Sequence, residues 1–437
     1  MDPSVSEAPL ERRKRPRLRL LVRCGALAAG VILAVGVLPW PWTPLVLPSL
    51  SPYVLIGSAV AARTVGLATL VGLPILLIVL VRRRWFCRYL CPVGLMTEQA
   101  SRLGRRGRSA AGKLPRIGTW IVLLTLGGAC FGYPVLLWMD PLAIFQGIFT
   151  LGHVPFSVAG QASAVALAVI LVISALLPGA WCLRICPLGA TQELLAIKGI
   201  RNLFRPRGKE SGDRQAPEPK KAPDSFLLAR RSVLSAAFGA LCAGLGARWA
   251  LDWSNRSSPD GRKPLRPPGS IDRRQFTGLC IRCGNCIRAC PAGIIEPDGA
   301  GASIAGVLAP VIRFRDAYCR EDCHACTQVC PSGAITRLSL KEKQKSPIGL
   351  AKLDASICLL AEDRECDICA RVCPYEAIEI VWNEEEYIAL PRVDAQKCPG
   401  CGACEVACPG TNEWEREHAG EPIPLRKAIE VGSLPFS

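Results

Sequence analysis

Histidine is nearly absent from this 437-residue chain: His153, His324 and His418 are the only three. None falls within a long apolar run, so a relay of histidine-ligated haems inside a membrane is excluded. Acidic residues are scarce in one part only. Residues 1–254 hold 11 Asp and Glu against 30 Lys and Arg, whereas residues 255–437 hold 25 against 23, so the net +17 belongs to the first part. There it lies between apolar stretches, which argues against a nucleic-acid partner. Residues 40–52 and 139–156 contain no Lys or Arg, and residues 200–225 contain no cysteine.

Cysteine is what the chain has in excess, with 23 residues. Sixteen of them form four successive quartets, each closing in Cys-Pro. Cys280, Cys283, Cys286 and Cys290 before Pro291 have the spacing C-x2-C-x2-C-x3-C-P, the run that binds [4Fe-4S] clusters in bacterial ferredoxins. Cys398, Cys401, Cys404 and Cys408 repeat it without change. Cys319, Cys323, Cys326 and Cys330 have one extra residue in the first interval, and in Cys358, Cys366, Cys369 and Cys373 that interval is seven residues. Zinc sites pair C-x2-C knuckles a dozen or more residues apart and lack the terminal Cys-Pro, and disulfide frameworks do not repeat so close a spacing. Cys323-His324 lacks the C-x-x-C that c-type haem attachment needs.

In two-cluster ferredoxins the fourth cysteine of each run ligates the other cluster. The expected ligand sets are therefore Cys280, Cys283, Cys286 and Cys330; Cys319, Cys323, Cys326 and Cys290; Cys358, Cys366, Cys369 and Cys408; and Cys398, Cys401, Cys404 and Cys373. Gly284 keeps the first loop slim where a side chain would intrude on the cluster. Apolar runs at 293–295, 311–314, 377–380 and 387–390 read as short strands flanking the quartets. Residues 253–437 thus read as an α+β domain of two ferredoxin units in tandem.

Residues 20–39, 54–81, 117–138 and 157–181 are each long and apolar enough to be expected as membrane spans. A weaker fifth run covers 232–251. Six basic residues precede the first span, ten lie between Arg82 and Arg116 and eleven between Arg184 and Arg231, so the positive-inside rule puts these segments in the cytoplasm. Trp40, Trp42, Tyr53, Tyr133, Trp138 and Trp181 fall at span ends as an interfacial belt would. Ala229-Arg230-Arg231-Ser232 resembles a twin-arginine export signal. The other reading of that start is an ordinary Arg-flanked anchor or an interfacial helix; if the fifth run crosses, the ferredoxin domain lies on the outer face. The expected order is a basic tail at 1–19, a helical membrane domain at 20–199, a basic Pro-rich linker at 200–229, a fifth anchor at 230–252 and the cluster domain at 253–437.

Cys87 and Cys91, then Cys182 and Cys186, stand in two copies of C-x3-C-P-x-G. Trp85 and Trp181 precede them, and Glu98-Gln99 answers Gln192-Glu193, so the membrane part reads as a duplicated two-helix hairpin. Four thiols at one membrane face could hold one further [4Fe-4S] cluster or work as a thiol/disulfide pair. Cys24, Cys130 and Cys242 have no partners at ligand spacing and read as small apolar residues in helices.

With these motifs in hand, residues 1–200 resemble the NapH-type membrane iron-sulfur proteins. Residues 225–437, with the twin-arginine-like start, Arg266-Pro267-Pro268-Gly269 and four cluster motifs in that order, resemble the NapG/MauM-type ferredoxins. NapH-type proteins normally carry two ferredoxin motifs after the last span, and here 200–225 has none, so the chain looks like a fusion. The resemblance implies a multi-pass protein of the inner membrane, an electron-transfer subunit rather than a stand-alone enzyme. Its implied donor is menaquinol or ubiquinol, and its implied partners are membrane lipid and a redox protein, either a periplasmic reductase or a cytochrome. Asp140, Gln146 and His153 are read into an outer loop at 139–156 beside Trp138, where the carboxylate or the imidazole could take the quinol proton. The competing reading is a maturation or redox-maintenance factor for a partner metalloenzyme.

Overall fold

Apolar runs punctuated by proline, glycine and arginine set the helices of the N-terminal part. The computed structural model describes residues 11–36, 40, 42–64, 66–103, 114–154, 157–196, scattered positions in 238–249, and then 264–299, 306–362, 364–384, 387–409 and 427–433. Contacts divide the chain into two units, residues 1–149 with 162–250, and residues 150–161 with 251–437. The linker at 200–229, the Arg230-Arg231 pair and most of the fifth run lie outside the described residues.

In the first unit, α1 (Glu11–Val35) and α9 (Val158–Leu176) are long and apolar enough to cross a membrane. Val165, Val169, Val172 and Leu176 form an exposed stripe on α9 at helical spacing, a surface suited to lipid rather than water. Between these two helices come α2 (Thr43–Ser49), α3 (Pro52–Ala62), α4 (Leu67–Val81), α5 (Trp85–Tyr89), α6 (Pro92–Leu103), α7 (Ile117–Cys130) and α8 (Pro141–Ile148). A π-type turn at Trp181–Ile185 and α10 (Pro187–Leu195) complete the unit.

Two of the four expected spans differ from their sequence reading. Residues 54–81 are not one helix. α3 ends where Arg63 takes a left-handed φ of 52°, and α4 begins after Gly66. α2 and α3 are instead a bent pair, 94° apart, apolar enough together to pass as one broken span. Pro48 inside α2 and Pro52 at the start of α3 make the bend, and the Ser51 hydroxyl accepts from Val54 N to cap α3. The run at 117–138 yields only the 14-residue α7, closed by Gly132 at φ 83°. At about 1.5 Å per residue, 14 residues fall short of a hydrocarbon core of about 30 Å.

The expected aromatic belt also divides. Trp40, Trp42 and Trp138 are exposed, while Tyr53, Tyr133 and Trp181 are buried in the protein. Tyr53 OH bonds Thr125 Oγ1 at 2.8 Å and donates to Leu136 O at 2.9 Å, so it ties α3 to α7. Cys24, Cys130 and Cys242 are exposed.

The second unit has little regular structure, because its loops are shaped by cysteine spacing. Its helices are short: α11 (Arg273–Leu279), α12 (Asn285–Ala289), α13 (Ala325–Gln328), α14 (Leu340–Lys345), α15 (Ile368–Arg371) and α16 (Ala403–Ala407). Three antiparallel strand pairs accompany them: β1 (Ile295–Pro297) with β2 (Pro310–Ile312), β4 (Ile378–Asn383) with β5 (Ile388–Val393), and β3 (Leu350–Leu353) with β6 (Ile429–Gly432). The first two pairs fall on the apolar runs read from the sequence. The third joins segments nearly eighty residues apart, too distant for local patterning to reveal.

Candidate iron-sulfur sites

Each quartet ends in a short helix followed by Cys-Pro, and that ending aims its last thiol away from the first three. Cys290 and Cys408 leave α12 and α16 with extended ψ values of 109° and 122°. Cys280, Cys283, Cys286 and Cys330 then line one cavity, walled by Phe276, Ile281, Ile287 and Ile335. Cys319, Cys323, Cys326 and Cys290 line a second, and Cys358, Cys366, Cys369 and Cys408 a third. Cys398, Cys401, Cys404 and Cys373 form a fourth group, close enough that each thiolate would oppose ionisation of the others. Every group takes three cysteines from one motif and one from its neighbour.

Backbone N–H groups point at two of the crossing sulfurs. Ile335 N donates to Cys330 Sγ and Ala377 N to Cys373 Sγ, both at 3.4 Å. Burial, reinforced by neighbouring thiols, pushes Cys283 and Cys326 up to about 12 and Cys369 and Cys401 up to about 11. Thiols so placed resist ionisation until a cation arrives to share the charge. Among the described residues no three Cys, His, Asp or Glu groups could hold a single metal ion. Soft donors set wide around an apolar cavity therefore suit a multi-iron core better than zinc.

Glycine takes the left-handed positions in the loops: Gly284 has φ 73° and Gly402 φ 85°. Position 400 is also glycine at φ 71°, yet its counterpart in the first loop is Arg282 at φ 57°. The extra residue of the second loop is held by α14. There Lys343 Nζ donates to Arg320 O, and Gln344 Nε2 donates to Glu321 O at 3.3 Å. Lys343 is 3% exposed and also hydrogen-bonds Cys319. Sequence reading missed this lysine. The capping box of Ser339 and Glu342 marks the helix that carries it, and three lysines in that helix gave no sign which one turns inward.

In the first unit the two C-x3-C-P motifs converge. Gln192 Nε2 donates to Cys87 Sγ at 2.9 Å, and Thr97 Oγ1 and Cys182 Sγ share a hydrogen bond at 3.2 Å. Counted from the second cysteine of each motif, Thr97 rather than Glu98 is the equivalent of Gln192, both six residues on, so each repeat reaches the first cysteine of the other. Gly94 N donates to Cys91 Sγ at 3.3 Å, and Gly189 N bonds Cys186 in the same way. A Cβ at Gly94 would stand 3.0 Å from Cys87 O, and one at Gly189 2.9 Å from Cys182 O. The glycine of C-x3-C-P-x-G is thus required by close backbone approach. Arg84 spans the repeats, donating to Cys182 O at 3.0 Å and pairing with Glu193 at 2.8 Å.

Within the segment read as an outer loop, residues 141–148 form α8, which packs on α2 and α6. Asp140 and Gln146 are fully buried and His153 is exposed. Asp140 caps α8, accepting from Leu142 N at 3.0 Å and Ala143 N at 3.1 Å, and takes a third bond from Ser51 Oγ at 2.6 Å.

Comparison with known proteins places these sites in a family. A 4Fe-4S dicluster domain model matches residues 279–334 and 364–412, the second match starting beyond Cys358. A 4Fe-4S binding domain model matches 63–110 and 159–205, the segments that carry the C-x3-C-P motifs. The methylamine utilization ferredoxin-type protein MauM of Methylophilus methylotrophus is 38% identical over 176 residues, 38% of this chain and 76% of that one. The ferredoxin-type protein NapG of Escherichia coli K12 is 33% identical over 204 residues, 44% of this chain and 84% of that one. MauM of Methylobacillus flagellatus is 39% identical over 151 residues, 33% of this chain, which spans just under two thirds of that protein, 63%. No solved structure matches. The chain carries 4Fe-4S ferredoxin-type domains and belongs to the family of ferredoxin-type proteins that includes NapG and MauM.

Proposed function

We propose that this chain is a membrane-bound electron-transfer protein that passes electrons from quinol to an acceptor on the outer face, through four [4Fe-4S] clusters held by the sixteen quartet cysteines. One observation carries the reading: each cavity is closed by a thiol from the neighbouring motif, the interlocking that brings two clusters close together. When bound, a [4Fe-4S] cluster supplies reversible one-electron transfer. The protein's part is to hold the thiolates in fixed sets, exclude water with walls such as Phe276, Ile281 and Ile287, and direct N–H groups at sulfur.

The remaining assignments follow from this reading. Residues 1–19 form a cytoplasmic tail, 20–199 a NapH-like membrane domain, 200–229 a linker, 230–252 an exported anchor and 253–437 the cluster domain on the outer side of the inner membrane. Cys87, Cys91, Cys182 and Cys186 hold a fifth cluster, with Gln192 and Thr97 steadying the opposite repeat's sulfur. Burial of Asp140 leaves the His153 imidazole as the accessible candidate for the quinol proton. The test is anaerobic: purified protein given a reduced quinol analogue bleaches its cluster absorbance within turnover time.

A maturation or redox-maintenance role is the second reading, favoured by the four membrane thiols that converge with hydrogen-bond partners of their own. Intact clusters that fail to bleach with quinol, while Cys87→Ser abolishes recovery of a partner enzyme, would select it.

A further inference from the structure

We infer that the cluster unit is graded internally: Lys343, Arg282 and Arg288 hold the two centres of the 280–330 pair at higher potential than the two of the 358–408 pair, so electrons collect in the first pair. This deepens the electron-transfer reading and rests on it.

The first observation is a buried ammonium. Arg23, Arg266 and Lys343 are the only buried Lys or Arg among the described residues. Lys343 Nζ reaches Arg320 O and Cys319, and Asp322, the carboxylate in its field, is held by two hydrogen bonds from Arg320. A lysine withdrawn from water without an anion is costly. The thiolate-bound centre of the second quartet is the anion that would balance it.

The second observation is backbone strain retained for a charge. Arg282 is left-handed at φ 57° where the sister loop uses Gly400 at φ 71°. An L-residue there is strained, and such strain persists where a side chain is needed. The part-buried Arg282 guanidinium faces Cys280; Arg288 faces Cys283 and Cys286 and donates to Asn285 Oδ1 at 2.9 Å.

The third lies in the sequence. Residues 264–349 carry twelve Lys and Arg against seven Asp and Glu, and residues 350–433 carry eight against seventeen. Among the described residues of 350–433 no Lys or Arg is buried. Reduction adds one electron to a centre and its thiolates, and no proton is required. A fixed cation nearby favours the reduced form, more strongly where the dielectric is low, so the basic pair gains the electron that the acidic pair gives up.

The test is a potentiometric titration of the whole solubilised chain, followed by electron paramagnetic resonance, with iron and sulfide measured on each sample. Lys343→Met lowers one of the two highest couples by about tenfold in its reduction equilibrium, ~59 mV for one electron. Lys343→Arg restores it, and both couples of the 358–408 pair stay in place. Arg282→Gly, which its backbone geometry accepts, lowers the other high couple and serves as the probe if Lys343→Met fails to assemble. Unmoved couples in a fully loaded variant, or a shift confined to the two lowest couples, overturn the inference and leave the electron-transfer reading standing. A wild-type chain without clusters overturns both.

Discussion

At the scale of single residues the account depends on the crossing thiols. Cys330 belongs to the motif at 319–330 but lines the cavity of Cys280, Cys283 and Cys286. Cys330→Ser is therefore expected to disturb the first centre and spare the second, with Cys290→Ser doing the reverse; Mössbauer or paramagnetic resonance spectra distinguish the two. The thiols also predict a pH dependence. Burial holds Cys283 and Cys326 up at about 12, above the ordinary value of 9.0, so the folded cluster-free protein retains protons that the unfolded chain releases. Their contribution to stability is complete below pH 9 and declines as pH rises from about 9 toward 12. Urea melts of cluster-free protein are expected to show that alkaline loss, and loaded protein should not share it. The sixteen cysteines and their grouping were legible because spacing alone encodes them. Lys343 and Arg282 were not, since inward orientation is a property of packing rather than spacing.

The two short helices after C-x3-C-P sit so close to the preceding turn that Gly189→Ala would put a methyl 2.9 Å from Cys182 O. Overpacking of this kind costs about 1–3 kcal/mol. Gly189→Ala should lower the melting temperature and separate Gln192 from Cys87, whereas Gly152→Ala, with open space around it, should do neither. Likewise α14 depends on its capping box, and Ser339→Ala is expected to cost about 1 kcal/mol and to loosen the loop at 319–323 that Lys343 and Gln344 hold. Hydropathy revealed apolar runs and hid their interruptions. Arg63 breaks one expected span, and the apolar residues of α8 turned out to line protein rather than an exposed loop. A hydropathy window averages over a break that a single left-handed residue creates. The pairing of β3 with β6 was hidden for a different reason, since it joins distant segments.

For the whole molecule, two readings meet: a helical membrane part with helices α1 and α9 of spanning length, and a cluster part of ferredoxin type. If the anchor at 230–252 crosses, a reporter that fluoresces only in the cytoplasm, fused after Ser437, stays dark, and changing Arg230 and Arg231 to Lys reduces the amount exported. Bright cells would put the cluster domain inside and point to a cytoplasmic donor. All of this rests on iron bound by the quartets. The most direct measurement is the iron and acid-labile sulfide content of the whole chain purified without oxygen. The account predicts a brown protein with at least about sixteen irons and as many sulfides per chain, four cubes of four; a colourless protein, or one retaining only a few irons with all cysteines intact, would contradict it.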